Sequence, residues 1–174
     1  HVVFKLPKQW QAVLSYGELK AWSSDLNCEP SSLSIANEVI KVRNNKLPDP
    51  NEVPNVGSFF KNPVVESSHA KQLKLSYPEM PQYEVGHNVK LAAGWLIDLL
   101  GLKGYQLGGA AVHKRQALVL VNKDEATSRD VMNLAQHIIE QVDLKYGVTL
   151  EPEVNIISNH GYSTLKELAG EQDV

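Results

Sequence analysis

Ser58, Lys61 and Asn62 lie close together in the stretch Gly57-Ser58-Phe59-Phe60-Lys61-Asn62-Pro63-Val64-Val65. A hydroxyl, an ammonium and an amide at this spacing could pass a proton or grip a polar ligand. Gly57 has no Cβ and admits a close backbone approach. Burial of at least one of Phe59 and Phe60 is expected to anchor the segment. Pro63 restricts Asn62 to extended geometry. The plainer reading is an ordinary strand ending at a proline. A second group is Glu151 and Glu153 in Leu150-Glu151-Pro152-Glu153-Val154. Their period of two points both carboxylates to one face of a strand. One of them facing a cleft would serve as an acid or an orienting group. The plainer reading is a pair of solvated glutamates on an edge strand, where proline is also favoured.

Other polar groups carry less. His113 stands beside Lys114 and Arg115, with no second histidine, cysteine or carboxylate at ligand spacing, so no metal site is expected. It reads as a strand-end histidine in a polar turn. Gly108-Gly109 lacks the spacing and following helix of a dinucleotide fingerprint. No G-x-S-x-G elbow or Walker sequence occurs, and Ser58 has no local histidine partner, which argues against a hydrolase triad.

The totals narrow the classes further. The 174 residues suit one domain, or one domain with a piece of another. The hydrophobic share of 43% is enough for a sizeable core, and the net charge of −3 offers no basic field for nucleic acid. Any anionic ligand must be held by a few local cations. Cys28 is the single cysteine, so no internal disulfide is available. No apolar run reaches the roughly 18 residues of a membrane span, and no membrane partner is expected. With no visible signal peptide, a cytoplasmic location is expected. The chain opens at His1 without methionine, which reads as a fragment or a processed chain.

The elements that must position these residues follow from the pattern. Val2–Leu6 and Trp10–Leu14 read as strands, and Lys20–Pro30 as a linker. Ser31 or Ser32 caps a helix to about Asn44, with Leu33, Ala36, Val39, Ile40 and the stem of Arg43 as its apolar stripe. Leu47-Pro48-Asp49-Pro50 stops it. Ser67 or Ser68 begins a short helix to about Leu75. Residues 76–88 read as a long loop with two tyrosines, a candidate binding lid. A helix over Lys90–Leu100 follows, capped by Asn88 and stopped by Gly101. Ala110–His113 and Ala117–Val121 read as a hairpin. Thr127 or Ser128 caps the longest helix, ending at Gly147, and Val148–Ile157 reads as a last strand. The tail from Asn159 is expected to fray. Helices and paired strands without βαβ alternation predict an α+β class: a small mixed or antiparallel sheet packed with helices.

Five blocks in order carry a resemblance: Lys46-Leu47-Pro48-Asp49-Pro50, Asn55 through Pro63, Lys90 through Asp98, Gly108-Gly109-Ala110-Ala111-Val112-His113, and Leu150 through Val154. Together they resemble the C-terminal part of the UDP-N-acetylenolpyruvoylglucosamine reductase family. The resemblance implies that residues 1–30 are the end of an FAD-binding domain and a linker, the first strand being left over from that domain. Residues 31–158 would be the substrate-binding domain and 159–174 a tail. FAD would be bound mainly by a region N-terminal to this chain, which alone is expected to be inactive and monomeric.

The resemblance further implies a reaction in peptidoglycan precursor synthesis. NADPH reduces FAD, and the flavin passes hydride to UDP-N-acetylglucosamine enolpyruvate, giving UDP-N-acetylmuramate. Hydride at the terminal carbon leaves charge on the carbon beside the carboxylate, and preorganised donors aimed there lower the barrier. Ser58 matches the family's proton donor to that carbon. Glu153, protonated and with its pKa raised by burial near the flavin, would donate to the enolate-like group. Asn62 matches a substrate contact. Lys46, Tyr83, Lys103 and Gln116 match positions that grip the nucleotide and diphosphate, and Lys90 is a further candidate; Tyr16, in Leu14-Ser15-Tyr16-Gly17, resembles a second substrate tyrosine of the family, its plainer reading being a partly buried strand-end tyrosine. Lysines suit that task as mobile point charges. The alternative function is a non-catalytic nucleotide-sugar binding module of the same fold.

Overall fold

The computed structural model describes residues 1–165 and 167. The tail expected from Asn159 lies outside the described residues from 168 onward. Contacts divide the chain into two units, His1–Leu47 and Pro48–Val174. That division falls after the capped helix, not at the expected boundary between residues 30 and 31.

The first unit departs from the strand reading. No strand forms over 2–6 or 10–14 among the described residues, and Val2, Val3, Phe4 and Leu6 are exposed. Apolar alternation makes a strand only when another strand completes its hydrogen bonds, and among the described residues none pairs with this one. The expected linker instead begins with a helix, α1 (Gly17–Ser24). Helix α2 (Ser32–Lys46) starts at Ser31, whose hydroxyl accepts from the Ser34 amide at 3.1 Å. Its expected stripe does not bury: Leu33 and Ile40 are exposed and no α2 residue is fully covered.

The second unit is α+β, built on antiparallel sheets. Strand β1 (Asn55–Ser58) opens it, followed by β2 (Val64–Glu66) and helix α3 (Ser67–Ser76). Strands β3 (Gln82–Val85) and β4 (Asn88–Leu91) follow, then helix α4 (Ala93–Leu99). Strands β5 (Gln106–Leu107), β6 (Ala110–Val112) and β7 (Val119–Asn122) lead to helix α5 (Ser128–Tyr146) and the hairpin β8 (Ile156–Ser158) with β9 (Gly161–Ser163). One sheet has the order β1-β7-β6-β5, and a second β2-β4-β3. The β8–β9 hairpin occupies the start of the stretch expected to fray.

Two expected elements take other forms. Residues 76–88 are not an open loop. Met80 is fully buried, Lys74 Nζ donates to its carbonyl at 2.8 Å, and β3 begins two residues later. Lys90 sits on a strand, not at a helix start, because Asn88–Leu91 pairs with both β2 and β3. Pairing on both sides outweighs the local capping signal of Asn88.

Helix α5 matches its sequence signals. Thr127 and Asp130 form a reciprocal capping box, and Gly147 takes the left-handed conformation at φ +63°. Leu134, Ile138 and Val142 are fully buried against the four-stranded sheet and α4. Tyr146 joins them and its hydroxyl donates to the Leu96 carbonyl at 3.3 Å; burial pushes its phenol up to about 12. Phe59 and Phe60 meet edge-to-face in the same core at 5.1 Å, so both anchor the serine segment. The Gly108-Gly109 pair is a packing device. A Cβ on Gly109 would lie 2.4 Å from the Asp124 carbonyl oxygen, so only glycine lets this turn meet the start of α5.

Candidate functional site

The segment from Asn55 to Lys61 runs between two partners. On one side Asn55 pairs with Val121 and Ser58 with Val119, with a one-residue shift between them. Gly57 absorbs that bulge at φ +79°, in a conformation that a side chain disfavours. The Asn55 side-chain oxygen accepts from the Gly57 amide at 2.9 Å and closes the turn. A Cβ on Gly57 would touch nothing within 4 Å, so the glycine serves the backbone angle. On the other side the Lys61 amide donates to Glu151 O at 2.9 Å and the Glu153 amide to Phe59 O at 2.8 Å.

This second pairing brings Ser58 and Glu153 together. Both line an open cleft of about 390 Å³ with Val56, Val154 and Asn155. Both are exposed, so the burial expected around Glu153 is not supplied by this chain. The two glutamates part company: Glu151 forms an exposed ion pair with Lys61 at 3.5 Å, while Glu153 lines the cleft. An exposed pair of this kind contributes about 0–1 kcal/mol.

A second pair is Tyr83 and Lys90. They are direct cross-strand partners on β3 and β4, and residues so placed share one sheet face with Cβ atoms about 4.5–5.5 Å apart. The opposite face buries Leu91. Tyr83 is therefore carried by an edge strand paired to β4, not by a loop.

The remaining candidates hold separate positions. Asn62 uses its side-chain oxygen to accept from the Ala93 amide at 2.9 Å, satisfying a donor at the start of α4. Lys103 Nζ pairs with Asp98 Oδ2 at 2.6 Å. Gln116 is half-buried in the turn between β6 and β7. Tyr16 and Lys46 belong to the first unit; Tyr16 is the exposed residue before α1, and Lys46 pairs with Glu18 at 3.0 Å. Asp98 and the Asn62–Ala93 bond had no signal in the sequence, because neither spacing matches a helix-surface pair.

His113 is half-buried where β6 ends. Its Nδ1 is buried and has no hydrogen-bond partner among the described residues. Burial pushes its pKa below the ordinary value, and the Arg115 charge acts in the same direction. Among the described residues no cluster of histidine, cysteine and carboxylate side chains could hold a metal, and no helix is long and apolar enough to cross a membrane.

Residues 49–157 match the family described as UDP-N-acetylenolpyruvoylglucosamine reductase, C-terminal domain. The chain is 49% identical over 164 residues to the reductase of that name from Shigella sonnei, covering 92% of this chain and 46% of that protein. It is 50% identical to the Pasteurella multocida protein of the same name, covering 92% and 46%, and 47% identical to that of Vibrio vulnificus, covering 96% and 47%. A solved structure of UDP-N-acetylenolpyruvylglucosamine reductase from Thermus caldophilus aligns at 26% identity and a TM-score of 0.42, over 70% of this chain and 34% of that one. The chain spans about half the length of the relatives it matches.

Proposed function

Because the chain belongs to the UDP-N-acetylenolpyruvoylglucosamine reductase family through its C-terminal domain, we propose that it is the substrate-binding half of a reductase acting on UDP-N-acetylglucosamine enolpyruvate. NADPH is the reductant and FAD the carrier in this reading. The reaction belongs to cell-wall precursor synthesis, in the bacterial cytoplasm, and the enzyme acts as a monomer. The observation that carries it is the Ser58–Glu153 cleft, held by the Glu153 amide on the Phe59 carbonyl.

In this reading the cleft would face one side of the flavin's flat ring. Val56 and Val154 give it apolar walls, while Ser58, Glu153 and Asn155 give it a hydroxyl, a carboxyl and an amide. Those two valines would contact the flavin ring, and FAD, when bound, supplies the hydride. The chain's own residues do the rest. Ser58 Oγ delivers the proton to the carbon beside the substrate carboxylate. A serine hydroxyl is a weak acid, but an enolate-like carbon is basic enough to take its proton. The Glu153 carboxyl would hydrogen-bond to the enolate-like group and stabilise charge where it develops. The exposed Tyr83 and half-buried Lys90 grip the diphosphate, with Lys103 and Gln116 of the same unit as further contacts; Tyr16 and Lys46, in the first unit, are separate candidates for substrate contact. Asn62 holds the start of α4 and contacts the substrate through its amide nitrogen.

Placing the chain in its full-length, flavin-loaded protein tests the reading. Oxidation of NADPH that depends on the enolpyruvyl substrate is the expected result. Substrate binding with no NADPH consumption would leave a non-catalytic nucleotide-sugar module in its place.

A further inference from the structure

The backbone just before Ser58 is held differently from the backbone just after it. Downstream, packing and ladder bonds fix the chain. The Phe59 amide donates to Leu118 O at 2.8 Å, its carbonyl accepts from the Glu153 amide, and its ring is buried. Upstream, no packing does this. Val56, Gly57 and Ser58 are all exposed, and a Cβ on Gly57 would touch nothing within 4 Å. The ladder is also out of step there: Val56 and Gly57 together stand opposite Leu120 alone. Glycine has the widest choice of backbone angles, so its φ of +79° must be held by something else.

The Asn55 side chain holds it. This residue is half-buried at the start of β1 and uses both ends of its amide. Oδ1 accepts from the Gly57 amide at 2.9 Å, a side chain closing a turn on the backbone two residues on. Nδ2 donates to the Val53 carbonyl at 2.8 Å. Val53 is itself fixed: its amide donates to Asp49 O at 2.8 Å, and its side chain packs against the cluster of Ala111, Val119 and Val121. One planar group thus ties the glycine of the bulge to a packed anchor.

The residue type follows from the two bonds. An amide offers an acceptor and a donor on one rigid plane. A carboxylate would set a second oxygen against the Val53 carbonyl, and an aliphatic chain would make neither bond. Asn55 is also not among the residues that line the cleft with Ser58 and Glu153. With both polar ends bonded to its own segment, it acts through the serine.

We propose that Asn55 is a positioning residue for proton delivery: by locking the Val56–Gly57 bulge it fixes where Ser58 Oγ stands relative to the substrate carbon. The inference rests on the function proposed above, in which Ser58 is the proton donor. Position matters steeply, since a misplacement of about 1 Å costs on the order of a hundredfold in rate.

A double-variant cycle in the full-length, flavin-loaded enzyme tests the proposal, read by stopped-flow flavin absorbance. Asn55→Ala should slow flavin reoxidation by the enolpyruvyl substrate about tenfold to a hundredfold, with flavin reduction by NADPH unchanged. Asn55→Asp keeps an acceptor for the Gly57 amide and should fall between the parent and Asn55→Ala. In a Ser58→Ala background, Asn55→Ala should cost nothing further, because the group it aims is gone. A residue that only supported the fold would slow both half-reactions and add its loss to that of Ser58→Ala. Either result overturns the proposal, as does parental reoxidation in Asn55→Ala. Should Asn55→Ala not fold, Asn55→Asp carries the same cycle under the same criteria.

A second readout needs no turnover. Hydrogen exchange of the Gly57 amide in the full-length protein should quicken in Asn55→Ala while the amides of α5 keep their rates. An unchanged Gly57 rate overturns the proposal. If Ser58→Ala slows reoxidation and Asn55→Ala does not, the positioning role fails and the reductase reading stands. If the parent flavin is not reoxidised by the enolpyruvyl substrate at all, the reductase reading fails and takes this inference with it.

Discussion

The amide of Glu153 donates to the carbonyl of Phe59 at 2.8 Å, and this bond sets Glu153 next to Ser58 across residues remote in sequence. Neighbouring contacts keep it in register: Phe60 bridges Pro152, and the Lys61 amide donates to Glu151 O. Both phenylalanines are buried, so the backbone carrying Ser58 is anchored from below while its hydroxyl stays in the cleft.

Gly57 should be intolerant of a side chain for a local reason. At φ +79° an alanine costs about 1–2 kcal/mol although nothing crowds its Cβ. Relief of that strain would move the bulge that aims Ser58. Gly57→Ala is expected to lower the turnover of the full-length enzyme more than its thermal stability suggests, as judged by steady-state kinetics beside a melting curve. A variant with parental turnover would show that the bulge does not position the serine.

Gly109 is intolerant for the opposite reason. A Cβ there meets Asp124 O at 2.4 Å and Ala126 Cα at 2.6 Å, both backbone atoms that cannot rotate away. Gly109→Ala is expected to destabilise the domain by about 1–3 kcal/mol, the usual cost of overpacking. Urea unfolding measures it; an unchanged midpoint would mean the β5–β6 turn shifts freely.

The cap of α5 gives a pH dependence with a definite sign. Asp130 accepts from the Thr127 amide and hydroxyl, and these bonds hold its carboxyl below the ordinary value. Its stabilising contribution is therefore complete above the ordinary carboxylate pKa and is lost as pH falls through the lowered one. Asp130→Asn should flatten the acid side of the stability curve. Equal acid sensitivity in parent and variant would place the titration elsewhere.

Tyr83 and Lys90 should act as one unit in substrate binding. Tyr83→Phe and Lys90→Gln are each expected to weaken binding with little change in turnover number. The double variant should lose less than the sum, because the pair shares one face and one ligand group. Strict additivity in a calorimetric cycle would separate their roles.

The elements legible in the sequence were those whose signals are local. Helix α5 announces itself through Thr127-x-x-Asp130 and Gly147, and α2 through Ser31. The β3–β4 hairpin did not, because Pro78, Pro81 and the polar residues around Tyr83 read as loop. What makes it a hairpin is β2, which closes the other side of β4. The apolar residues of the first unit misled in the opposite sense: Val2–Leu6 alternates like a strand but pairs with no strand among the described residues. At the site, Ser58 and Glu153 were each visible as residue types, while their adjacency depends on a pairing between distant segments. The orphaned nitrogen of His113 depends on burial that no spacing encodes.

Stopped-flow flavin absorbance on full-length Ser58→Ala tests the central claim most directly, because it resolves flavin reduction by NADPH from flavin reoxidation by the enolpyruvyl substrate. A general acid contributes typically ~10²–10⁴-fold. The account predicts a loss of that order or greater in reoxidation, with flavin reduction unchanged, and partial recovery in Ser58→Cys, whose thiol is also a proton donor of similar size. Equal slowing of both half-reactions would contradict it, since Ser58 would then be supporting the fold or the flavin and not supplying the proton.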